Sequence, residues 1–301
     1  MANTLQTADI RDDAFAMREP HRSRFVEMIR RGAASRDIHD SDGDGSYDGA
    51  FDGRVSERFL ERELTRVAMH AQSLCAPLAA RLGRAPRILD VGCGTGGTTV
   101  ALAASALRPQ DVVGVDASAE AVEAAIVRAA GHGFAAGSAD EGFADAGSAG
   151  AASGNGHAVD TPRVRFLQVD AGRPLPFPDG HFDLVTCVSV LEFIGTAAAR
   201  EAFVAELLRV TRREGHVYLA TPNPLRFREN HSRRLFGDWR RTRGYPWSSS
   251  ASALRRMFAG CEVDSLAVER LRRHPRLRGL GWAAPALAWA APWQRLLARK
   301  R

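Results

Sequence analysis

Leu89-Asp90-Val91 runs directly into Gly92-Cys93-Gly94-Thr95-Gly96-Gly97, and this junction limits the chain's folding options more than any other feature. The branched apolar run from Arg87 to Val91 reads as a short buried strand. The glycines let the backbone turn sharply and leave no Cβ between it and a ligand. Thr98 to Ala106 can form the helix that follows, so the segment is a strand, a tight turn and a helix.

The pattern repeats. Asp111-Val-Val-Gly-Val115 is a second strand ending at Asp116, and Ser118 can cap a helix reaching Ala130. Further strands are expected at Val164–Val169, Phe182–Val188 and His216–Ala220, with a helix over Ala197–Arg212. A helix at Ala251–Phe258 and a strand at Glu262–Val268 complete the series. Upstream, Val55 to Leu82 carries apolar residues at helical spacing, with Pro77 kinking or dividing it. Alternating strands and helices imply an α/β, Rossmann-like, doubly wound and mostly parallel sheet with helices on both faces.

Three aspartates fall at the ends of the first three strands. Gly92, Gly94 and Gly97 also satisfy GxGxxG, so the turn alone fits a dinucleotide. Asp90 separates the readings, because a carboxylate there repels a pyrophosphate and favours a cationic ligand. S-adenosylmethionine, with its ammonium and sulfonium, is such a ligand. Asp116 is placed to accept hydrogen bonds from both ribose hydroxyls, which suits either cofactor. Asp170, followed by Ala171, can accept an adenine amino group.

With LDVGCGTGG, VVGVDAS, FLQVDAGRPLPFPDGHFDLVTCVSVLEFI and LLRVTRREGHVYLATPNP in that order, the chain resembles the class I S-adenosylmethionine-dependent methyltransferases from about Ile88 to Asn223. The resemblance implies a methyltransferase domain over residues 55–270, on a seven-stranded sheet with a reversed final strand. It also implies that Gly92, Gly94 and Gly96 approach the methionine part, Asp116 holds ribose, Asp170 and Ala171 meet adenine, and Cys187 to Leu191 line the pocket. TPNP followed by a histidine and a basic, aromatic C-terminal part is similar to methyltransferases of ubiquinone and surface-glycan synthesis, which handle membrane-associated acceptors.

Methyl transfer to a hydroxyl needs donor and acceptor held in line, and usually a base. Two candidates follow the later strands: Glu192 after the fourth and His231 after the fifth. Cys187-Val-Ser-Val190 stands where an Asn-Pro-Pro-Tyr clamp would serve amino-methylation of bases or glutamine, so the expected acceptor is a hydroxyl of a small or lipid-linked molecule. Two other readings stay open: RNA methylation, although no nucleic-acid module accompanies the domain, and a non-catalytic adenosyl-binding sensor or scaffold.

The flanks are expected to be simpler. Residues 1–54 read as a disordered acidic tail; within it Asp40 to Asp48 imitates a calcium loop, but Phe51 stands where the bidentate glutamate belongs. Gly131 to Thr161, dominated by Gly, Ala, Ser and Asp, reads as a flexible insertion. The net charge of +6 is concentrated after Arg226. In residues 271–301, Trp282, Ala286, Trp289, Trp293 and Leu296 would share one helical face flanked by arginines, as for contact with a membrane surface through 279–301. Four scattered cysteines and no metal-ligand spacing argue against disulfides and a metal site. The polar N-terminus lacks a signal sequence's apolar core, which points to the cytoplasm or the inner membrane face.

Overall fold

The structure, a computed structural model, describes residues 15–35, 57–83, 85–138, 162–223, 249–266 and 293–301, with residues 268, 282 and 291 besides. In chain order these form α1 (His21–Ser35), α2 (Glu57–His70), a π-helical turn (Ala71–Cys75), α3 (Ala76–Ala79), β1 (Arg87–Val91), α4 (Gly97–Ala103), β2 (Asp111–Asp116), α5 (Ala119–Gly131) and β3 (Ala136–Ser138). Then come β4 (Arg163–Gln168), β5 (Phe182–Val188), a 3-10 turn (Leu191–Phe193), α6 (Ala197–Val210), β6 (Thr211–Pro222), α7 (Ala251–Met257), β7 (Cys261–Ser265) and β8 (Trp293–Lys300).

The strands make one eight-stranded sheet in the order β3-β4-β2-β1-β5-β6-β8-β7. β8 pairs antiparallel with both β6 and β7, and the other strands run parallel. Parallel strands must be covered on both sides, and alternation divides their residues between two cores. Ile88, Val112, Leu184, Tyr218 and Leu297 face the π-turn, α4 and α5. Leu89, Val113, Val185, Cys187, Leu219 and Leu296 face α6 and α7. The strand order reverses between β1 and β5, where a crevice opens beyond the carboxyl ends of open α/β sheets.

Three expectations change. Helix α1 lies inside the stretch expected to be a disordered tail, yet Phe25, Met28 and Ile29 are buried with Met17 against Ala124 and Val127 of α5 and against α2. Burying one such side chain contributes about 1.5–3 kcal/mol, and the acidic composition around α1 hid that apolar stripe. The calcium-like loop at 40–51 is outside the described residues. Within the expected insertion, Ala136–Ser138 is an edge strand paired with β4; residues 139–161 are outside the described residues.

The third change is the largest. Trp293 to Lys300 is a strand, β8, held in register from Pro222–Trp293 to His216–Arg299. Trp293 and Leu296 therefore share no helical face with Trp282; Leu296 packs against the α6–α7 side of the sheet. This is the reversed strand of the family pattern, and its alternation, Leu296 to one core and Leu297 to the other, has the period of a strand. The domain thus extends through the C-terminal segment that was expected to stand apart. Among the described residues, no helix is long and apolar enough to cross a membrane.

Candidate functional site

The glycine turn is built on β2 as much as on β1. The amides of Gly92 and Cys93 both donate to the carbonyl of Val115, at 2.8 and 2.9 Å, and the amide of Gly96 donates to the Cys93 carbonyl at 2.9 Å. Gly92 has φ +71°, and a Cβ there would lie 2.1 Å from Cγ2 of Val190, so the turn after β5 rests directly on the turn after β1. Gly94, at φ +50°, is different: a Cβ built on it meets nothing within 4 Å. Its bare backbone borders open space, which is where a ligand can approach. At Gly96 a Cβ would strike Ala125 of α5, so its missing side chain serves helix packing as well as the turn.

Asp116 holds this open face. Its Oδ2 accepts from the Gly94 amide at 2.7 Å and its Oδ1 from the Ser118 amide at 3.0 Å. An ionised carboxylate has about four acceptor positions, so each oxygen, fixed by one backbone donor, keeps an acceptor for a hydroxyl. A half-buried carboxylate oriented beside a bare glycine fits a vicinal diol such as ribose.

Asp90 does not share that face. It is buried on the α4 side of β1, with Oδ2 accepting from Thr99 Oγ at 2.7 Å and Oδ1 from Thr186 Oγ at 2.8 Å. Burial pushes its carboxyl up to about 6, opposed by the two threonine hydroxyls, while the Asp116 charge raises it further. The expectation that Asp90 serves the cofactor directly is corrected accordingly: alternation along β1 turns Asp90 inward, where it ties β1 to α4 and β5.

Asp170 and Ala171 follow β4 at the same edge of the sheet and are exposed. The Asp170 side chain is 72% exposed and paired with Arg173 at 3.3 Å. Cys187 is corrected: it is fully buried among residues facing α6 and α7, and burial holds its thiol well above the usual range. Its side chain lines no opening. The half-buried residues Val188, Ser189 and Val190 follow it, with Ser189 in the left-handed region at φ +59° and its amide on the Ala220 carbonyl at 2.9 Å.

Glu192 sits in the 3-10 turn after β5, two residues beyond the Val190 side chain that rests on Gly92. It is buried, and its Oε2 accepts from the hydroxyl of Thr221 on β6 at 3.1 Å. Beside Thr221, Asn223 donates to the Ala291 carbonyl at 2.7 Å, tying the end of β6 to the approach of β8. His231 is outside the described residues.

One group was missed from the sequence. Glu63 of α2, buried, accepts from the hydroxyl of Thr95 in the glycine turn at 2.9 Å and from buried Arg128 of α5 at 3.1 Å, and it also pairs with Arg66. The signal existed: Glu63 occupies a position of the apolar stripe running through Phe59, Leu60, Val67 and Leu74. A charge inside such a stripe must find partners.

A cavity of about 380 Å³ opens at the other edge of the sheet, among Arg87, Gln110, Asp183 and His216 near the amino ends of β1, β2 and β5. It is remote from the glycine turn and carries none of this chemistry. Among the described residues, no cluster of His, Cys, Asp or Glu is arranged to hold a metal ion.

Residues 89–219 match a family described as a methyltransferase domain. No curated protein matches the chain. Among solved structures, phosphoethanolamine N-methyltransferase 1 of Haemonchus contortus, in complex with phosphoethanolamine and S-adenosylhomocysteine, is 14% identical with a TM-score of 0.50, covering 93% of this chain and 49% of that one. Magnesium protoporphyrin IX methyltransferase of Synechocystis PCC 6803, with bound S-adenosylhomocysteine, is 15% identical with a TM-score of 0.49, covering 92% and 100%. At such identities the likeness is one of fold.

Proposed function

We propose that this chain, an S-adenosylmethionine-dependent methyltransferase whose residues 89–219 form the family's methyltransferase domain, methylates a hydroxyl of a small or lipid-linked acceptor, with Glu192 taking the proton. The observation that carries this reading is the contact between the turns after β1 and β5: Val190 rests on Gly92, and Glu192 follows two residues later. A carboxylate there stands beside the crevice where donor and acceptor would meet.

On this reading Gly94 gives the methionine part of the cofactor a bare backbone to lie against, and Asp116 takes the two ribose hydroxyls on its remaining acceptor positions. Asp170 and Ala171, exposed at the end of β4, meet adenine. Asp90 lends its negative field from beneath. The cofactor supplies a methyl carbon already activated by a sulfonium, so the protein's part is alignment and proton removal. Thr221 orients Glu192 through its hydroxyl, and His231, which follows β6 in the sequence, is a second candidate base. Exposed Phe193 beside Glu192, and Trp282, 80% exposed in an arginine-rich stretch, support an apolar acceptor presented from a membrane surface.

The test is a transfer assay with radiolabelled S-adenosylmethionine against a panel of phenols, polyprenyl-linked alcohols, amines and RNA. Label in alkali-stable ethers, lost in Glu192→Gln while S-adenosylhomocysteine still binds, supports the reading. Label only in amines or RNA contradicts it.

A further inference from the structure

The glycine turn is held on two sides by the sheet, through Val115 and Asp116, and on a third by a helix outside the family's motif. That third anchor is the buried carboxylate of Glu63. Its Oε2 takes the Thr95 hydroxyl at 2.9 Å and Arg128 Nη2 at 3.1 Å, and the same Arg128 nitrogen donates to the Glu63 carbonyl at 2.9 Å. Arg66 pairs with Oε1. The side chains of Glu63 and Arg128 are both 0% exposed, and the Arg128 guanidinium also stacks 4.4 Å from the centre of the Phe25 ring of α1. At Gly97, where the turn becomes α4, a Cβ would meet Arg66 Cδ at 2.5 Å and Arg128 Nη1 at 2.6 Å.

A buried ion pair of this kind contributes little net stability, because desolvation offsets the attraction. What it does supply here is direction. Thr95 lies between Gly94, whose backbone borders the open space, and Gly96, and its hydroxyl is drawn onto Glu63 of α2. The turn's glycines leave its backbone free to take other conformations, and Glu63 removes that freedom.

We infer that Glu63 is a positioning residue for cofactor binding, holding Thr95 so that the glycine turn keeps its binding shape, and that the α1–α2 layer is thereby coupled to the cofactor. The inference rests on the cofactor site described above. Coupling is reciprocal: if docking of α2 shapes the turn, a ligand on the turn must stabilise α2.

Thr95→Val tests this, since it replaces the hydroxyl with a methyl of nearly equal volume and leaves Glu63 with both arginines. S-adenosylhomocysteine affinity is measured by calorimetry, melting temperature beside it, and amide exchange over residues 59–70 with and without the ligand. We expect affinity to fall about tenfold in Thr95→Val, with the melting temperature lowered by a few degrees for the lost bond to a charged acceptor and Thr95→Ser restoring both. In the wild-type protein the ligand slows exchange in α2, and in Thr95→Val that protection shrinks. Wild-type affinity in Thr95→Val, or exchange in α2 indifferent to the ligand, overturns the inference. If the wild-type protein binds no S-adenosylhomocysteine, the cofactor reading falls and this one with it; loss in Thr95→Val alone concerns only the positioning.

Discussion

The carboxyl ends of β1 and β2 and those of β5 and β6, with the amino end of antiparallel β8, lie at one edge of one sheet, but they are made differently. On the β1–β2 side the site is built on backbone amides, those of Gly92 and Cys93 on the Val115 carbonyl and that of Gly94 on the Asp116 carboxylate, all within about 25 residues of one another. On the β5–β6–β8 side it is side chains reaching across long stretches of chain: Glu192 to the Thr221 hydroxyl, and Asn223 to the Ala291 carbonyl. A site made of backbone tolerates few sequences and announces itself, whereas one made of side chains brought together by the fold can vary with the acceptor. The two halves of the edge join where Val190 touches Gly92, and the proposed function gives donor binding to the first and acceptor choice to the second.

That division can be broken by substitution. The largest effect is expected in the second half: Glu192→Gln should lower kcat about a thousandfold, within the usual range for a general base, while leaving S-adenosylhomocysteine affinity within a few fold. A parallel loss of affinity would merge the two halves. Next, Asp116→Ala should weaken S-adenosylhomocysteine about a hundredfold in titration calorimetry, for two hydroxyls losing a charged acceptor.

A pH profile probes the buried carboxylate between them. Asp90 titrates near 6 in the folded protein, so its negative field is present above that value and lost below it. Affinity for S-adenosylmethionine should rise about tenfold between about pH 5 and pH 7 and then level off. The contribution to stability has the opposite sign. Because the folded-state value is raised, folding favours the protonated form, and Asp90's contribution falls as pH rises from about 4 to about 6. Asp90→Asn should flatten both curves, measured by calorimetry and by thermal melts; an unchanged affinity profile would remove Asp90 from the ligand's field. The smallest effect belongs to Cys187→Ala, expected to leave cofactor affinity within twofold because its side chain faces α6 and α7. A large loss would put it back in the pocket.

The same contrast explains what the sequence disclosed. The β1 turn, Asp116 and the helix capped by Ser118 were legible because each is a local requirement: glycine at left-handed backbone, an acceptor at a strand end, a hydroxyl for an orphan amide. Asp90 is legible as a strand-end carboxylate but its facing is not, since a motif does not say which face of the sheet a residue takes unless the alternation is followed from Ile88. β8 was hidden because small apolar residues and tryptophans precede it, and Trp293 and Leu296 also fit a helical period. Helix α1 was hidden by charged neighbours, and Glu63 by its partners lying on other elements, Thr95 and Arg128. What depended on long-range contact was not readable one segment at a time.

The most direct measurement is calorimetric titration of the wild-type protein and Asp116→Ala with S-adenosylhomocysteine, with NADH as the control ligand. The account predicts that S-adenosylhomocysteine binds the wild-type protein, that NADH does not, and that Asp116→Ala loses most of the affinity. Binding of NADH instead, or S-adenosylhomocysteine binding that ignores the Asp116→Ala change, would contradict it.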